Sequence, residues 1–260
     1  MAIAERPIEQ QHQHQTPREL VRPISPKDAR EFVRVYHPNG KCSQGLGTLN
    51  FGLFLGKQLV GVCTWGHNIS QGETAKLMFG NHSTGKDYLD NLRLVVNKSS
   101  GAITQPSALV SFCAKILFKF RPELRYLVAY SSGIYGYLGK IYQASNFVYT
   151  GKMKTNYFYI PNYGLVTSRS IANYLPSRRL EYMQKIHPGA KVLNSYNYRY
   201  IRFRDDKTKR YFLDSRVRCF KLPESLPTDA ENETIDSDGQ HYPSGYFKHM
   251  SSLPYFDIHK

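Results

Sequence analysis

The sequence predicts a mixed α/β (α+β) domain, a central sheet flanked by helices, and three observations carry that prediction. Leu49–Leu55 and Gln58–Trp65 read as two strands joined across Gly56-Lys57, a hairpin signal. Tyr88-Leu-Asp-Asn-Leu-Arg-Leu-Val-Val96 reads as a central strand, and the polar loop Asn97–Gln105 follows it. Pro106 then suits the first position of a helix running to about Phe120. Its apolar residues Leu109, Phe112, Cys113, Ile116, Leu117 and Phe120 recur at helical spacing as a wide stripe for burial.

The remaining elements fall around this frame. Ser25-Pro26 followed by Asp28 opens a helix whose apolar positions are Ala29, Phe32, Val33 and Tyr36; His37-Pro-Asn-Gly40 supplies the chemistry that ends it. His67 to Asp87 is polar and Gly-rich, a long loop. Tyr126–Tyr130 is a further strand, and a Gly/Ser/Tyr loop leads into Gly139-Lys-Ile-Tyr-Gln-Ala-Ser-Asn-Phe-Val-Tyr-Thr-Gly151. Ile141–Phe147 fits two helical turns, and Gly151 is free to take positive φ before the chain turns back. Tyr157–Ile160 begins another strand. Tyr196-Asn-Tyr-Arg-Tyr-Ile-Arg-Phe-Arg204 alternates aromatic and basic residues, which predicts a strand with one cationic face.

Composition bounds the partners. The chain has 260 residues, 35 Lys and Arg against 20 Asp and Glu, and a formal charge of +15, so a polyanion is the expected partner. Twenty tyrosines interleave with these cations, which suits base stacking beside phosphate contact as well as an aromatic core. The charge is uneven. Lys140–Lys221 holds seventeen Lys and Arg and four acidic residues, whereas Glu224–Asp238 holds six acidic residues and no basic ones. We expect residues 1–22 to be a polar tail, 23–222 one catalytic and nucleic-acid-binding domain, and 223–260 an acidic then mixed tail. No segment reaches the roughly 18–20 apolar residues of a membrane span, and the amino terminus lacks a signal peptide's apolar stretch, so an intracellular protein is expected. Cys42, Cys63, Cys113 and Cys219 form no C-x-x-C pair and read as reduced thiols.

The order of elements (helix, hairpin, central strand, polar loop, long helix, strand, helix, strand) resembles that of the GNAT acyltransferases. In that fold the loop before the long helix offers backbone N–H groups to an anion. Lys98, Ser99, Ser100, Gly101, Thr104 and Ser107 are the candidates for holding an acyl donor there; an ordinary capped helix is the competing reading. The usual Gln/Arg-x-x-Gly-x-Gly/Ala pattern is missing.

The chain also resembles a narrower family, the Mom-like DNA modification proteins of bacteriophages. The residues that carry this are Val35-Tyr-His-Pro-Asn-Gly40, Asp90-Asn-Leu-Arg-Leu-Val-Val96, Ser107, and Gly136-x-x-Gly139-x-Ile-Tyr-Gln-Ala-x-Asn-Phe-x-Tyr-Thr-Gly151. The resemblance implies a GNAT-like enzyme that places a methylcarbamoyl group on adenine of phage DNA, in the cytoplasm of the infected bacterium, as protection against restriction. It implies His37, Arg93, Ser107, Tyr142 and Tyr149 as site residues, with Ser131 and Ser132 beside them. His37 suits a general base or a metal ligand, or simply the cap of a helix. Two departures stand out: where the family has Ser-Tyr-Ala-Asp and Gly-His-x-Gly, this chain has Ala129-Tyr-Ser-Ser132 and Gly136-Tyr-Leu-Gly139. Ser132 thus replaces an Asp and Tyr137 a His.

The expected donor is acetyl-CoA or an aminoacyl-tRNA, and the expected acceptor is DNA, held by Lys152, Lys154, Arg178, Arg179, Arg199, Arg202 and Arg204. Neither a metal requirement nor an oligomeric state is legible. Two other functions fit the same residues: a GNAT acetyltransferase acting on a protein or small-molecule amine, and a basic DNA-binding protein that performs no chemistry.

Overall fold

The computed structural model describes residues 18–37, 48–67, 76, 78–80, 83, 85–161, 163–167, 177, 179–214 and 221–248. Pro38–Gly40, Arg178, Cys42, Cys219, residues 1–17 and residues 249–260, on which parts of the expectations above fall, lie outside this set. The chain folds as a mixed α/β domain around one ten-stranded sheet.

Strand β1 (Glu19–Pro23) forms one edge and pairs antiparallel with β2 (Leu49–Leu55), which forms the expected hairpin with β3 (Gln58–Gly66). Strand β4 (Tyr88–Val96) lies beside β3, and β5 (Tyr126–Ser132) runs parallel to it. Next come β8 (Lys191–Phe203), β6 (Val148–Ile160) and β7 (Gly164–Thr167), all antiparallel to their neighbours.

Helices cover both faces of the sheet. Helix α1 (Pro26–Tyr36) starts as the sequence predicts, with the Ser25 hydroxyl accepting from the Asp28 N–H at 3.1 Å. It packs Ala29, Phe32 and Val33 against Val62 and Val95. Helix α2 (Pro106–Phe120) covers the opposite face, where Leu109, Val110, Cys113, Ala114 and Leu117 join Cys63, Trp65, Leu89 and Leu127. Its buried stripe is narrower than the sequence suggested, since Phe112 and Phe120 are exposed. Helix α3 (Lys140–Gln143) lies on that same face. Helices α4 (Leu180–Ile186) and α5 (Asp206–Leu213) pack on β8.

Three expectations change. The polar amino-terminal tail ends earlier than residue 22, because Glu19–Pro23 is strand β1. Helix α3 is a single turn, not two: Asn146 adopts φ 60°, and the chain enters β6 at Val148. Strand β6 then runs unbroken through Ile160, with a bulge at Thr150 beside Gly151 in place of a turn back.

The third change concerns the carboxy-terminal segment, which is built into the domain. Strand β9 (Thr234–Asp236) pairs with Leu193 and Asn194 of β8 and forms a hairpin with β10 (His241–Tyr242). Because β6 occupies one edge of β8 from Lys191 to Ile201, β5 and β9 share the other edge. β5 leaves that edge at Ser132, opposite Asn197, and β9 takes it up three residues further along. The acidic residues conceal this. Asp236 is buried, and its carboxylate accepts from Lys191 Nζ (2.9 Å), the Tyr242 hydroxyl (2.9 Å) and the amides of Asp238 and Gln240.

Candidate active site

β4 and β5 share a parallel ladder only over Tyr88–Asp90 and Tyr126–Val128. Beyond it β4 continues against β3 and β5 against β8, so the sheet opens into a wedge at Asn91 and Ala129. Asn91, the first β4 residue past the ladder, is buried. Its side-chain amide donates to the Thr64 carbonyl (3.2 Å) and to Cys63 Sγ (3.4 Å), while its carbonyl accepts from the Tyr142 hydroxyl at 3.0 Å. One turn of helix is thereby fixed to the central strand.

A β-bulge aims the next residues. On β3, Thr64 faces Arg93 and Trp65 faces Asn91, so Leu92 is the extra residue. Simple alternation puts Asp90 and Arg93 on opposite faces. The bulge brings them to one face, opposite Gly66 and Thr64, two residues apart on β3. The half-buried Arg93 donates to the Leu92 carbonyl at 2.6 Å.

The Gly139–Gly151 run packs an aromatic ladder against this wedge. The Tyr142 ring lies 5.8 Å from that of Tyr200, and Tyr149 lies 5.4 Å from Tyr200 and 6.2 Å from Tyr198. The Tyr200 hydroxyl donates to the Leu138 carbonyl and accepts from Gln143 Nε2 at 3.2 Å. Gly139 takes φ +77°, and a Cβ there would run into the Tyr200 ring. That close approach is why this position is glycine.

Burial sets the protonation of these phenols. It pushes the Tyr142 hydroxyl well above the ordinary tyrosine range; nearby Cys63 adds to the rise and the Arg93 charge opposes it. Tyr149 is pushed up to about 12, by burial first and then by Tyr200 and Glu231, against the pull of Arg199. Both are neutral hydrogen-bond donors near pH 7.

The structure thus brings Tyr142 and Tyr149 to one region and adds Asn91 and Tyr200, which sequence reasoning missed. A polar Asn inside an otherwise apolar strand was the available signal. Arg93 lies on the other face of β4, with Asp90 and Thr64, and its charge is felt by Tyr142 across the strand. The other candidates lie elsewhere. His37 caps α1, on the face opposite α2 and α3. The Ser131 hydroxyl donates to the Tyr137 carbonyl (2.8 Å), and the Ser132 hydroxyl is 2.8 Å from that of Tyr157. Ser131 therefore holds the loop that precedes α3, and Ser132 ties the end of β5 to β6.

The loop between β4 and α2 is tightly bonded. The Asn97 side chain accepts from the Ser99 N–H (3.1 Å), the Ser100 hydroxyl donates to the Asn97 carbonyl (2.6 Å), and Gly101 takes φ +78°. The N–H groups of Ile103 and Thr104 and the Thr104 hydroxyl all donate to the Glu19 carboxylate. Pro106 has no N–H to offer. The Ser107 carbonyl accepts from the Ser145 hydroxyl at 2.9 Å, tying α2 to α3. As arranged, the Ile103 and Thr104 donors are taken by a carboxylate and are not open to a diphosphate.

The expected cationic face of β8 is divided. Arg199 lies opposite Gly151, one residue from Tyr198 and Tyr200, and so faces away from the tyrosine ladder; Arg202 lies on the ladder's side. Arg199 is buried and donates to the Thr150 hydroxyl (3.0 Å) and carbonyl (3.1 Å). Arg202 donates to the Ser145 carbonyl at 3.0 Å, and Arg204 to the carbonyls of Phe118, Leu124 and Arg121. Lys152 and Lys154 on β6 and Arg179 before α4 are exposed, with Lys152 4.6 Å above the Tyr196 ring. Among the described residues no group of three His, Cys, Asp or Glu side chains is gathered to hold a metal ion, and no helix is long and apolar enough to cross a membrane.

Strand order, the β4–β5 wedge and the crossing helix α2 define a GNAT-like α/β protein. Residues 18–221 match the Mom protein family, and the chain belongs to that family. A relative from Escherichia phage Mu, "Methylcarbamoylase mom", is 24% identical over 184 residues, covering 70% of this chain and 74% of the relative. Among solved structures, that of Arabidopsis thaliana NAA60 with acetyl-CoA is similar at a TM-score of 0.44 and 14% identity, covering 72% of this chain and 99% of that one. A GNAT-family acetyltransferase from Bacillus anthracis gives 0.39 and 15%, covering 73% and 97%.

Proposed function

We propose that this chain is a phage DNA modification enzyme that transfers an acyl-derived group, methylcarbamoyl or a related one, to the exocyclic amine of adenine, shielding the DNA from host restriction in the infected cell's cytoplasm. The observation that carries this reading is the Asn91-anchored Tyr142 at the β4–β5 wedge, with the Arg93 charge acting on its hydroxyl from the other side of β4, in a chain of the Mom family. The name of the phage Mu relative supports the choice of group.

The adenine amine is a poor nucleophile, because its lone pair is delocalised into the ring, and it is paired within the duplex. Reaction there calls for extrusion of the base onto an aromatic surface. Tyr149, half-buried within the tyrosine ladder between Tyr200 and Tyr198, offers such a surface. The acyl oxygen gains negative charge as the amine adds. Half-buried Arg93 supplies a fixed positive charge from the other side of β4, where it stabilises that oxygen more than it would in water. Tyr142 keeps its proton and acts as a donor held in place by Asn91. Lys152, Lys154 and Arg179 take DNA phosphates.

The transferred group contains two carbons and a nitrogen, which a plain acetyl transfer does not provide. A glycyl-type donor carried on tRNA supplies these atoms and would use the same basic surface. The adenine amine adds to the ester carbonyl, and the tRNA 3′-oxygen leaves with the proton lost from nitrogen. The resulting glycyl amide is an isomer that must rearrange to reach the methylcarbamoyl connectivity. Acetyl-CoA is the second donor, disfavoured by the Glu19 contact in the loop before α2. That contact also weighs against an acetyltransferase acting on other amines. A DNA-binding protein without chemistry differs in one readout, the absence of an adduct. Nucleosides from DNA of cells expressing the protein, separated and weighed by mass spectrometry, test the proposal. A modified deoxyadenosine is expected; wholly unmodified nucleosides from cells with soluble, DNA-binding protein contradict it.

A further inference from the structure

Glu19 lies at the start of edge strand β1, opposite Leu55, yet its carboxylate reaches the loop before α2, more than eighty positions away in sequence. There it accepts from the Thr104 N–H at 2.9 and 3.1 Å, from the Ile103 N–H, and from the Thr104 hydroxyl. Two successive backbone amides, a hydroxyl and the adjoining end of a fifteen-residue helix are the donors a phosphate group would use. The protein's own carboxylate already holds them. Burial alone would raise the Glu19 carboxyl, but its bonds to Thr104 and Ile103 outweigh that and hold it below the usual carboxylate range, so it stays charged at neutral pH.

We propose that Glu19 is a donor-specificity residue: an internal anion that occupies the loop between β4 and α2 and keeps phosphate-bearing donors such as coenzyme A out of it. This rests on the reading above of the wedge as a group-transfer site, and it adds that the donor enters without using these amides. A phosphate arriving at the loop must displace a carboxylate and meet its like charge. Because Glu19 sits at the end of an edge strand, with its side chain outside the core, removing it leaves the packed layers intact.

The test is calorimetric titration of the full chain with two probes, coenzyme A and inorganic pyrophosphate, comparing wild type with Glu19→Ala and Glu19→Gln. Glu19→Ala should bind both probes at least about tenfold more tightly than wild type, with Glu19→Gln between them, since charge-assisted bonds become available to the probe. Adding Thr104→Ala to Glu19→Ala should remove part of the gain. Thermal melts confirm that each variant is folded, and the isosteric Glu19→Gln serves if the alanine variant is not. Equal affinities in wild type and variants, tight coenzyme A binding by wild type, or no binding by any of them would each overturn the proposal. No DNA product is read, so this outcome is independent of whether adenine is the acceptor.

Discussion

The Tyr142 hydroxyl donates to Asn91 Oδ1 at 3.0 Å, and this bond links a one-turn helix to the central strand where β4 and β5 part. Tyr142→Phe keeps the ring against Phe147 and Tyr200 and removes only the bond. Stability in urea should fall by about 1 kcal/mol. Tyr142→Ala, which also leaves a cavity, should cost about 3–5 kcal/mol.

Gly139 combines a left-handed backbone with a close approach to Tyr200. Gly139→Ala therefore meets both backbone strain and a ring that its hydrogen bond to Leu138 holds in place. We expect a loss of about 1–3 kcal/mol from the backbone alone. Gly151→Ala has open space around its Cβ and should suffer only the conformational part. Chemical denaturation of the two variants side by side measures the difference.

Asn232 joins the carboxy-terminal segment to the loop that leads into α3. Its amide donates to the Gly133 carbonyl (2.8 Å) and the Ser244 hydroxyl (2.9 Å), and its carbonyl accepts from the Tyr198 hydroxyl (3.0 Å). Asn232→Ala leaves these buried groups without their partner and should cost about 1–3 kcal/mol. Limited proteolysis should then cut the segment after Lys221 faster than in wild type.

Asp236 sets an acid limit. Burial works to raise its carboxyl, but Lys191 and the bonds from Gln240, Tyr242 and Asp238 depress it far below the ordinary value of 3.8. A carboxyl depressed on folding stabilises the native state fully above its unfolded value, and this contribution is lost as pH falls through the folded value. Asp236→Asn should therefore lower the melting temperature at pH 7, and the gap to wild type should close only below about pH 4. Melting curves across pH 2–7 check this.

The arginines of β8 and the lysines of β6 should separate in DNA binding. Lys152→Ala and Lys154→Ala should each reduce the slope of log affinity against log salt by about 1 with little effect on folding. Arg204→Ala should instead lower stability, because its guanidinium holds three carbonyls around the end of α2. Filter binding at graded salt, paired with melts, distinguishes the two.

The central layers were legible because local pattern and burial agree there. The hairpin through Gly56-Lys57, the strand Tyr88–Val96 and the Ser25 cap follow from periodicity, turn chemistry and capping. Strand β1 was hidden because it is a short edge strand carrying Glu19 and Arg22, and β9 because its Asp236 neutralises Lys191 inside an acidic stretch. The bulge at Leu92 could not be read, since alternation in sequence assumes an unbroken ladder. The Gly139–Gly151 run was visible as a motif. Its dependence on Asn91 and Tyr200 needed the fold, because those residues lie 51 and 57 positions from their partners Tyr142 and Gln143.

Nucleoside analysis of DNA from cells expressing wild type, Arg93→Ala or Tyr142→Phe tests the central claim most directly. The account predicts a modified deoxyadenosine with wild type, its loss with Arg93→Ala, and a strong reduction with Tyr142→Phe, while both variants keep their affinity for DNA. A full yield of modified adenine from Arg93→Ala, or unmodified DNA from wild type, would contradict it.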